Sequence, residues 1–465
     1  MRPRLSAHPE VDTWQRGFHE DHLFESSFLT DVCNAWREDA ELSWTDASGP
    51  EERLDAHLAA LASGGRLALD VCVERAAEGD AGELYAAVCT FCRQADGDRL
   101  DAVLDDLDTG DEERARAVAD ALCDEAPPAW RERVAALLDH SDPALQAVAA
   151  RVLGDRRWEA PAGALTAVLD SPDDALVEAA AWALGRLPGP SARSPLYRLL
   201  QHDAPAVCAA AATALLRLGD PNTIQVCARR AEHAAGPDPD GSSWALLPLA
   251  LAGGPSHGKV LRDAAAADDA PPDALLALGL GGDPSAVDLL LYHLGTDELA
   301  KAAAAALHLL TGAGLTETVF VPEDIDEDEL FEDELEAFRR GELPTHPRGA
   351  PYGTEVTRLA QEADTWRDWW TEAGGRFVAG TRYRLGTPYG PEALVAALAG
   401  IALPQRLRPA VMDELAIRYG VDTGLEPRLR VSHQQDALRT AAQELRSLPQ
   451  HLRSAPYVFA QRVHR

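Results

Sequence analysis

Along the middle of the chain, apolar residues return at a long, regular interval. Leu107, Leu138, Leu169 and Leu200 lie 31 residues apart, and Leu122, Leu153, Leu184 and Leu215 keep the same interval 15 positions later. Val118-Ala119, Ala149-Ala150, Ala180-Ala181 and Ala211-Ala212 hold one register between them. A fixed period of this length marks a stacked array in which each unit buries its apolar face only against its neighbours. Within a unit the spacing is helical: Leu145, Val148, Ala149, Val152 and Leu153 form one stripe, the pattern of an amphipathic helix. Asp142-Pro143 supplies an N-cap carboxylate and a proline at the first helical position, and Gly154 offers a left-handed end. Ser171-Pro172-Asp173, Asp220-Pro221 and Asp283-Pro284 repeat the start signal. Two helices of about 10 to 14 residues per unit, rich in Ala so that backbones approach closely, predict an all-α chain built as an α-solenoid of helical hairpins.

The units resemble bacterial HEAT-like repeats, whose Ala-x-x-Ala-Leu-Gly-x-Leu-Gly-Asp-Pro pattern is echoed by Ala179 to Leu187 and by Leu215 to Pro221. The register slips after residue 231 and resumes at Leu278, with residues 232–243 as the expected insertion; about six or seven hairpins fit between residues 75 and 312. Four regions follow from this: an N-terminal helical cap (1–70), the solenoid (71–315), an acidic linker or insertion (316–349) and a C-terminal helical, Trp-rich capping region (350–465). In the insertion, ten of the fourteen positions Glu323–Glu336 are Asp or Glu. They are interleaved with Ile325, Leu330, Phe331 and Leu335, so the segment reads either as a solvated charge run or as an acidic-hydrophobic docking segment for a partner. In the C-terminal region Trp366, Trp369 and Trp370 fall at helical spacing and predict a core plug at the solenoid's end.

Charge narrows the function. With 43 Lys+Arg against 76 Asp+Glu the chain carries a formal −33, which disfavours nucleic acid, where a cationic face is needed, and anionic membrane surfaces. It favours basic protein partners. The absence of an apolar run of about 18 residues, and of an apolar stretch after Met1, leads to the expectation of a soluble, cytoplasmic protein. Seven Cys spread through the chain do not suggest a disulfide framework.

Candidate chemistry is sparse. Gly254-Pro-Ser256-His257-Gly258 fits the string of a nucleophile elbow but lacks a preceding strand, so an inter-helix turn is expected. Cys89-x-x-Cys92 could begin a zinc site, with Cys72 or Cys123 completing it. Cys123, Gly154 and Gly185 follow Cys92 at 31-residue steps, which points instead to a position requiring a small residue. His19 and His22 lie one helical turn apart, with His57 as a third partner only if the two N-terminal helices touch. Gly279-x-Gly281-Gly282 has no βαβ context and reads as a helix end. Arg382 and Arg384 form the one pair of guanidiniums suited to a phosphate or carboxylate, against the alternative of salt bridges to the acidic body. No catalytic residue, metal or cofactor is assigned.

Taken with the flanks, the chain resembles a family of bacterial HEAT-repeat proteins found chiefly in proteobacteria, including myxobacteria. The resemblance rests on His19-Glu-Asp-His22 to Ser27-Phe28-Leu29, on Leu54-Asp55-x-His57-Leu58-x-x-Leu61, and on Trp366-x-x-Trp369-Trp370 with Gly380-x-Arg382-Tyr383-Arg384-x-Gly386. Members are sometimes associated with type VI secretion loci, so the resemblance implies an accessory or binding part. The reading is a non-enzymatic adaptor whose long concave face binds protein. The alternatives are an immunity-type or regulatory protein that sequesters one toxin, and a HEAT-like enzyme such as a bilin lyase or a DNA glycosylase. Partner identity and oligomeric state are not legible in the sequence.

Overall fold

The computed structural model describes residues 9–39, 42–161, 163–187, 192–234, 240–322, 332–341 and 352–463. Three helices open the chain: α1 Pro9–Glu38, α2 Ser48–Ser63 and α3 Gly65–Glu78. An inner row follows: α4 Ala81–Gln94, α6 Glu112–Glu125, α8 Pro143–Asp155, α10 Asp174–Leu184, α12 Pro205–Arg217, α15 Leu246–Ala252, α17 Pro272–Gly281 and α19 Asp297–Thr311. Consecutive members of this row pack on one another. The outer row is made of shorter helices: α5 Gly97–Asp105, α7 Arg131–Ala136, α9 Ala164–Ala167, α11 Arg193–Leu199, α13 Asn222–Ala231, α16 Gly258–Ala265 and α18 Val287–His293, with the short α14 Asp240–Ser243 where the register slips.

The first five inner helices begin 31 residues apart, and the reason is local chemistry. Asp80, Asp111, Asp142 and Asp173 occupy the same place in successive units, and each carboxylate accepts a backbone N–H of the first turn. Such caps each contribute about 1 kcal/mol. The fifth unit has Ala204 there and starts on Pro205 instead.

Gly154 does not end its helix. It lies inside α8, where an added Cβ would sit 2.8 Å from the Cα of Ala183 on the next inner helix; at Gly185 the same atom would sit 2.6 Å from the Cα of Ala214. The glycines are required by close helix approach, not by a left-handed turn. At Gly282 the expectation holds, because its φ of +71° closes α17 ahead of Asp283-Pro284.

Beyond α19 the chain departs from the helical array. β1 Thr316–Pro322 pairs antiparallel with β2 Gly353–Leu359, from Thr316 opposite Leu359 to Pro322 opposite Gly353. This ribbon, which helical periodicity could not reveal, brackets the acidic segment, within which α20 spans Glu332–Arg339. Next come α21 Ala363–Ala373, a small ribbon of β3 Tyr383–Arg384 and β4 Thr387–Pro388, then α22 Pro391–Ala399, α23 Arg408–Tyr419, α24 Val431–Ser447, α25 Gln450–Arg453 and a last ribbon of β5 Val458–Phe459 and β6 Arg462–Val463.

The C-terminal region does not simply plug the last hairpin. Its first part packs there, α21 on α18 and β3 on α19, with the Leu385 and Gly386 N–H groups donating to the Leu309 and Leu310 carbonyls. The remainder turns back along the groove lined by the inner helices and reaches the N-terminal cap, with α23 against α12 and α15 and α24 against α2. Around residue 400 it touches both ends of the array: Trp44 Nε1 donates to the Gly400 carbonyl at 3.1 Å, and His308 Nε2 of α19 pairs with the Ala402 carbonyl at 2.6 Å.

Candidate functional site

The concave face is occupied by the chain itself, through a ladder of charges. Arg93, Asp124, Asp155, Arg186 and Arg217 hold one position in five successive units, 31 residues apart, at the ends of the inner helices. The returning strand of chain answers most of them with the opposite sign. Arg428 reaches Asp120 at 3.0 Å, Asp124 at 3.3 Å and Asp155 at 3.4 Å. Glu426 takes Arg186 at 2.7 Å and Arg157 at 2.8 Å. Asp413 pairs with Arg217 at 2.7 Å, and Asp422 pairs with Arg157 and Arg217. Arg430 joins Arg93 on the carboxylates of Glu125 and Asp55. Beyond this point Glu51 accepts the backbone N–H of Val431 at 2.7 Å.

Apart from the exposed carboxylates of Asp55 and Asp422, these contacts are half to fully buried, and they set the charge states. Burial works to raise the carboxyls of Asp124, Asp422 and Glu426, but facing guanidiniums outweigh it and hold all three below the ordinary range: Arg428, Arg430 and Arg37 at Asp124, Arg217 and Arg157 at Asp422, and Arg186 and Arg157 at Glu426. Asp155 goes the other way. Its burial exceeds the help of Arg428, and its carboxyl is raised.

Arg382 and Arg384 meet a carboxylate, but an internal one. Glu414, fully buried on α23, accepts from Arg384 Nη2 at 2.7 Å, Arg418 Nε at 2.9 Å, Arg382 Nη2 at 3.3 Å and the Tyr389 hydroxyl at 2.6 Å. Three guanidiniums against one carboxylate would leave excess charge in the core. Most of the surplus N–H groups donate to backbone carbonyls, chiefly at helix ends, where the unpaired carbonyls carry the negative pole of the helix, while Arg384 Nε is left without a partner. Arg382 and Arg384 donate to the carbonyls of Gly279, Leu280 and Gly281 at the end of α17, and Arg418 donates to Ala250 and Gly253 at the end of α15. Arg382 also lies 3.7 Å from the centroid of the Tyr389 ring. Neither Arg382 nor Arg384 is open to an outside anion. Burial works to raise the Glu414 carboxyl, yet Arg384, Arg418 and Arg382 hold it below the ordinary glutamate range.

The other expected residues are placed as follows. Trp366 is fully buried and donates its indole N–H to the Ala360 carbonyl at 2.7 Å. Trp369 and Trp370 are half-buried around Phe377, with ring centroids 6.3 and 5.2 Å from it. Ile325, Leu330 and Phe331 lie outside the described residues, while Leu335 is half-buried on α20. Pro255–His257 is a single tight turn between α15 and α16, in which His257 Nδ1 accepts from the Gly254 N–H at 3.0 Å. All seven Cys are free and buried, and burial pushes the Cys33 thiol up to about 11 and Cys72 up to about 12. α1 and α2 do touch: His22 Nδ1 lies 2.8 Å from His57 Nδ1. Among the described residues no group of three or more His, Cys, Asp or Glu is arranged to hold a metal.

One site escaped the sequence reading. On α1 the large side chains Trp14, Phe18, Phe24 and Phe28 are 68, 43, 68 and 54% exposed. Buried Leu23, Ser27, Thr30 and Cys33 take the opposite face, which packs against α2, α3 and α4. The signal available in the sequence was the second aromatic stripe on a helix that already had a buried face.

Comparison with known proteins agrees with the repeat architecture. Residues 162–238 match the family model of HEAT repeats. No curated protein matches the chain. Among solved structures, the crystal structure of an engineered protein aligns over 91% of this chain and 99% of its own length at 17% identity with a TM-score of 0.26. Among the described residues no single helix is long and apolar enough to cross a membrane. The chain is an all-α solenoid containing HEAT repeats, its groove filled by its own C-terminal strap.

Proposed function

We propose that the protein is a non-enzymatic interaction scaffold that engages its partners with outward-facing elements, since the concave groove is taken by the strap. HEAT repeats are a protein-binding architecture, with stacked units forming extended surfaces. The observation that carries the reading is the closure of the groove by paired charges from Asp413 to Arg430. A bilin or a nucleic acid bound in the groove would have to displace that strap.

One candidate element is the acidic segment, which is bracketed by β1 and β2 where Pro322 pairs with Gly353. Its carboxylates favour a basic partner, and Ile325, Leu330, Phe331 and Leu335 supply apolar anchors. The resemblance to proteins associated with type VI secretion loci places a spike, sheath or effector component among the candidates. A crosslinking pull-down from the native host, with the full chain and with residues 323–342 deleted, tests this. Recovery of such components by the full chain and their loss on deletion is expected. Recovery of a single toxin would make the protein its sequestering partner, and recovery of nothing by either form would sink the scaffold reading.

A further inference from the structure

The exposed face of α1 has a register of its own. Trp14, Phe18, Asp21, Glu25 and Phe28 follow one another at alternating intervals of four and three residues, and Phe24 flanks them. At 3.6 residues per turn these six side chains share an arc of about 120° and a length of about 21 Å. Alternating steps of four and three are the spacing of a coiled-coil seam. The aromatic residues stand at the two ends of the seam, and two carboxylates stand between them.

The rings are held in place from below. Trp14 stacks on Phe18 with centroids 5.7 Å apart, Phe18 sits edge-on to His22 at 4.3 Å, and His22 rests on His57 of α2. The nearest cation on the helix, Arg16, is committed to Glu20 and Glu74. Among the described residues no Arg or Lys pairs with Asp21 or Glu25.

We propose that this face docks one amphipathic helix of a partner protein, a helix apolar toward both ends and carrying two Lys or Arg residues in the middle of its seam. The proposal rests on the scaffold reading above and names a partner class for it. Apolar ends would bury against the Trp14–Phe18 and Phe24–Phe28 pairs, and aromatic anchors of this kind dominate binding energy at interfaces. The central cations would neutralise Asp21 and Glu25 and so fix the register, as polar seam residues do in coiled coils. A second copy of this chain does not suit the site. It would set Asp21 and Glu25 against their own counterparts, on helices that each carry seven carboxylates and only two Arg.

The test is a titration of the full chain with two labelled synthetic helical peptides about four turns long, followed by fluorescence anisotropy. Both peptides carry Leu at the outer seam positions; one has Lys and the other Glu at the two central positions. The Lys peptide is expected to bind at least about tenfold tighter. Asp21→Lys/Glu25→Lys should reverse the order, and Trp14→Ser/Phe28→Ser should weaken both peptides. If the order survives the double charge reversal, the overall acidity of the chain and not this seam attracts the peptide, and the proposal fails. It also fails if Trp14→Ser/Phe28→Ser abolishes a concentration-dependent dimer in sedimentation, or flotation with phosphatidylcholine vesicles. Circular dichroism melts check that the variants fold, and should the Ser variant not fold, the charge reversal alone decides. A chain lacking 323–342 should keep the peptide preference, so loss of this site and loss of the acidic segment are separable results.

Discussion

Glu414 is the side chain on which most other groups converge. Its carboxylate is the common acceptor for Arg382, Arg384, Arg418 and Tyr389, and those arginines in turn close the ends of α15 and α17. Glu414→Gln keeps the shape and removes the charge, leaving three guanidiniums buried without an anion. Breaking a buried ionic cluster in this way costs about 3 to 5 kcal/mol, and urea denaturation should show a loss of that size; a loss below 1 kcal/mol would mean the helix carbonyls alone suffice. Gly185 makes a different prediction, because backbone lies in its way. Gly185→Val would drive side-chain atoms into Ala214 and separate α10 from α12, at a cost of about 1 to 3 kcal/mol in the same assay.

The small-residue position was legible at the outset because Cys92, Cys123, Gly154 and Gly185 recur at the repeat interval, although its reason was packing and not the helix end that Gly154 suggested. The role of Arg382 and Arg384 was legible only as a pair of cations. Their acceptor is 30 residues or more away in sequence, and no spacing rule connects them.

Among elements, the strap and the inner helices meet as two facing rows of charge. Arg186 and Glu426 form the most enclosed pair, with two hydrogen bonds of 2.7 and 3.2 Å. A double-mutant cycle with Arg186→Ala and Glu426→Ala should give a coupling energy of about 1 to 3 kcal/mol. Additive losses would show that this pair contributes nothing to holding the strap. Half of this ladder was visible in the sequence, since Arg93, Asp124, Asp155, Arg186 and Arg217 sit at one repeat position. Mixed signs at one position do not announce a binding face until the complementary row is beside them. The β1–β2 ribbon was hidden for another reason: Thr316–Pro322 is a short alternating stretch beside a long charge run, and its pairing partner lies on the far side of that run.

At the scale of the whole molecule, the strap joins both ends of the array. Trp44 of the N-terminal cap and His308 of α19 are fastened two residues apart in the sequence, at Gly400 and Ala402. Acid should undo this closure. Asp124, Glu414, Asp422 and Glu426 all have folded-state values below those of the unfolded chain. Their stabilisation is therefore complete above the ordinary carboxylate range of about 4, and it is lost as pH falls through the depressed values. The neutral His308, held below its usual value by burial, adds loss in the same direction as it is forced to charge. Asp155 opposes the trend, because its raised carboxyl is relieved by protonation. Stability should decline gradually below about pH 6.5, as His308 is forced to charge, and collapse below about 4, with expansion in small-angle scattering; a maximum of stability in acid would contradict the assignment.

The ladder also bears on how such a protein can change length. In an ordinary solenoid a unit can be duplicated or lost with little penalty, because each unit recognises only its neighbours. Here each unit also carries an address, acidic at Asp124 and Asp155 and basic at Arg186 and Arg217, read by a strap of fixed length. Removal of residues 143–173 would bring Arg186 to the place where Arg428 meets Asp155. The strap thus acts as a ruler, and it makes the number and order of these repeats a property that selection must hold constant.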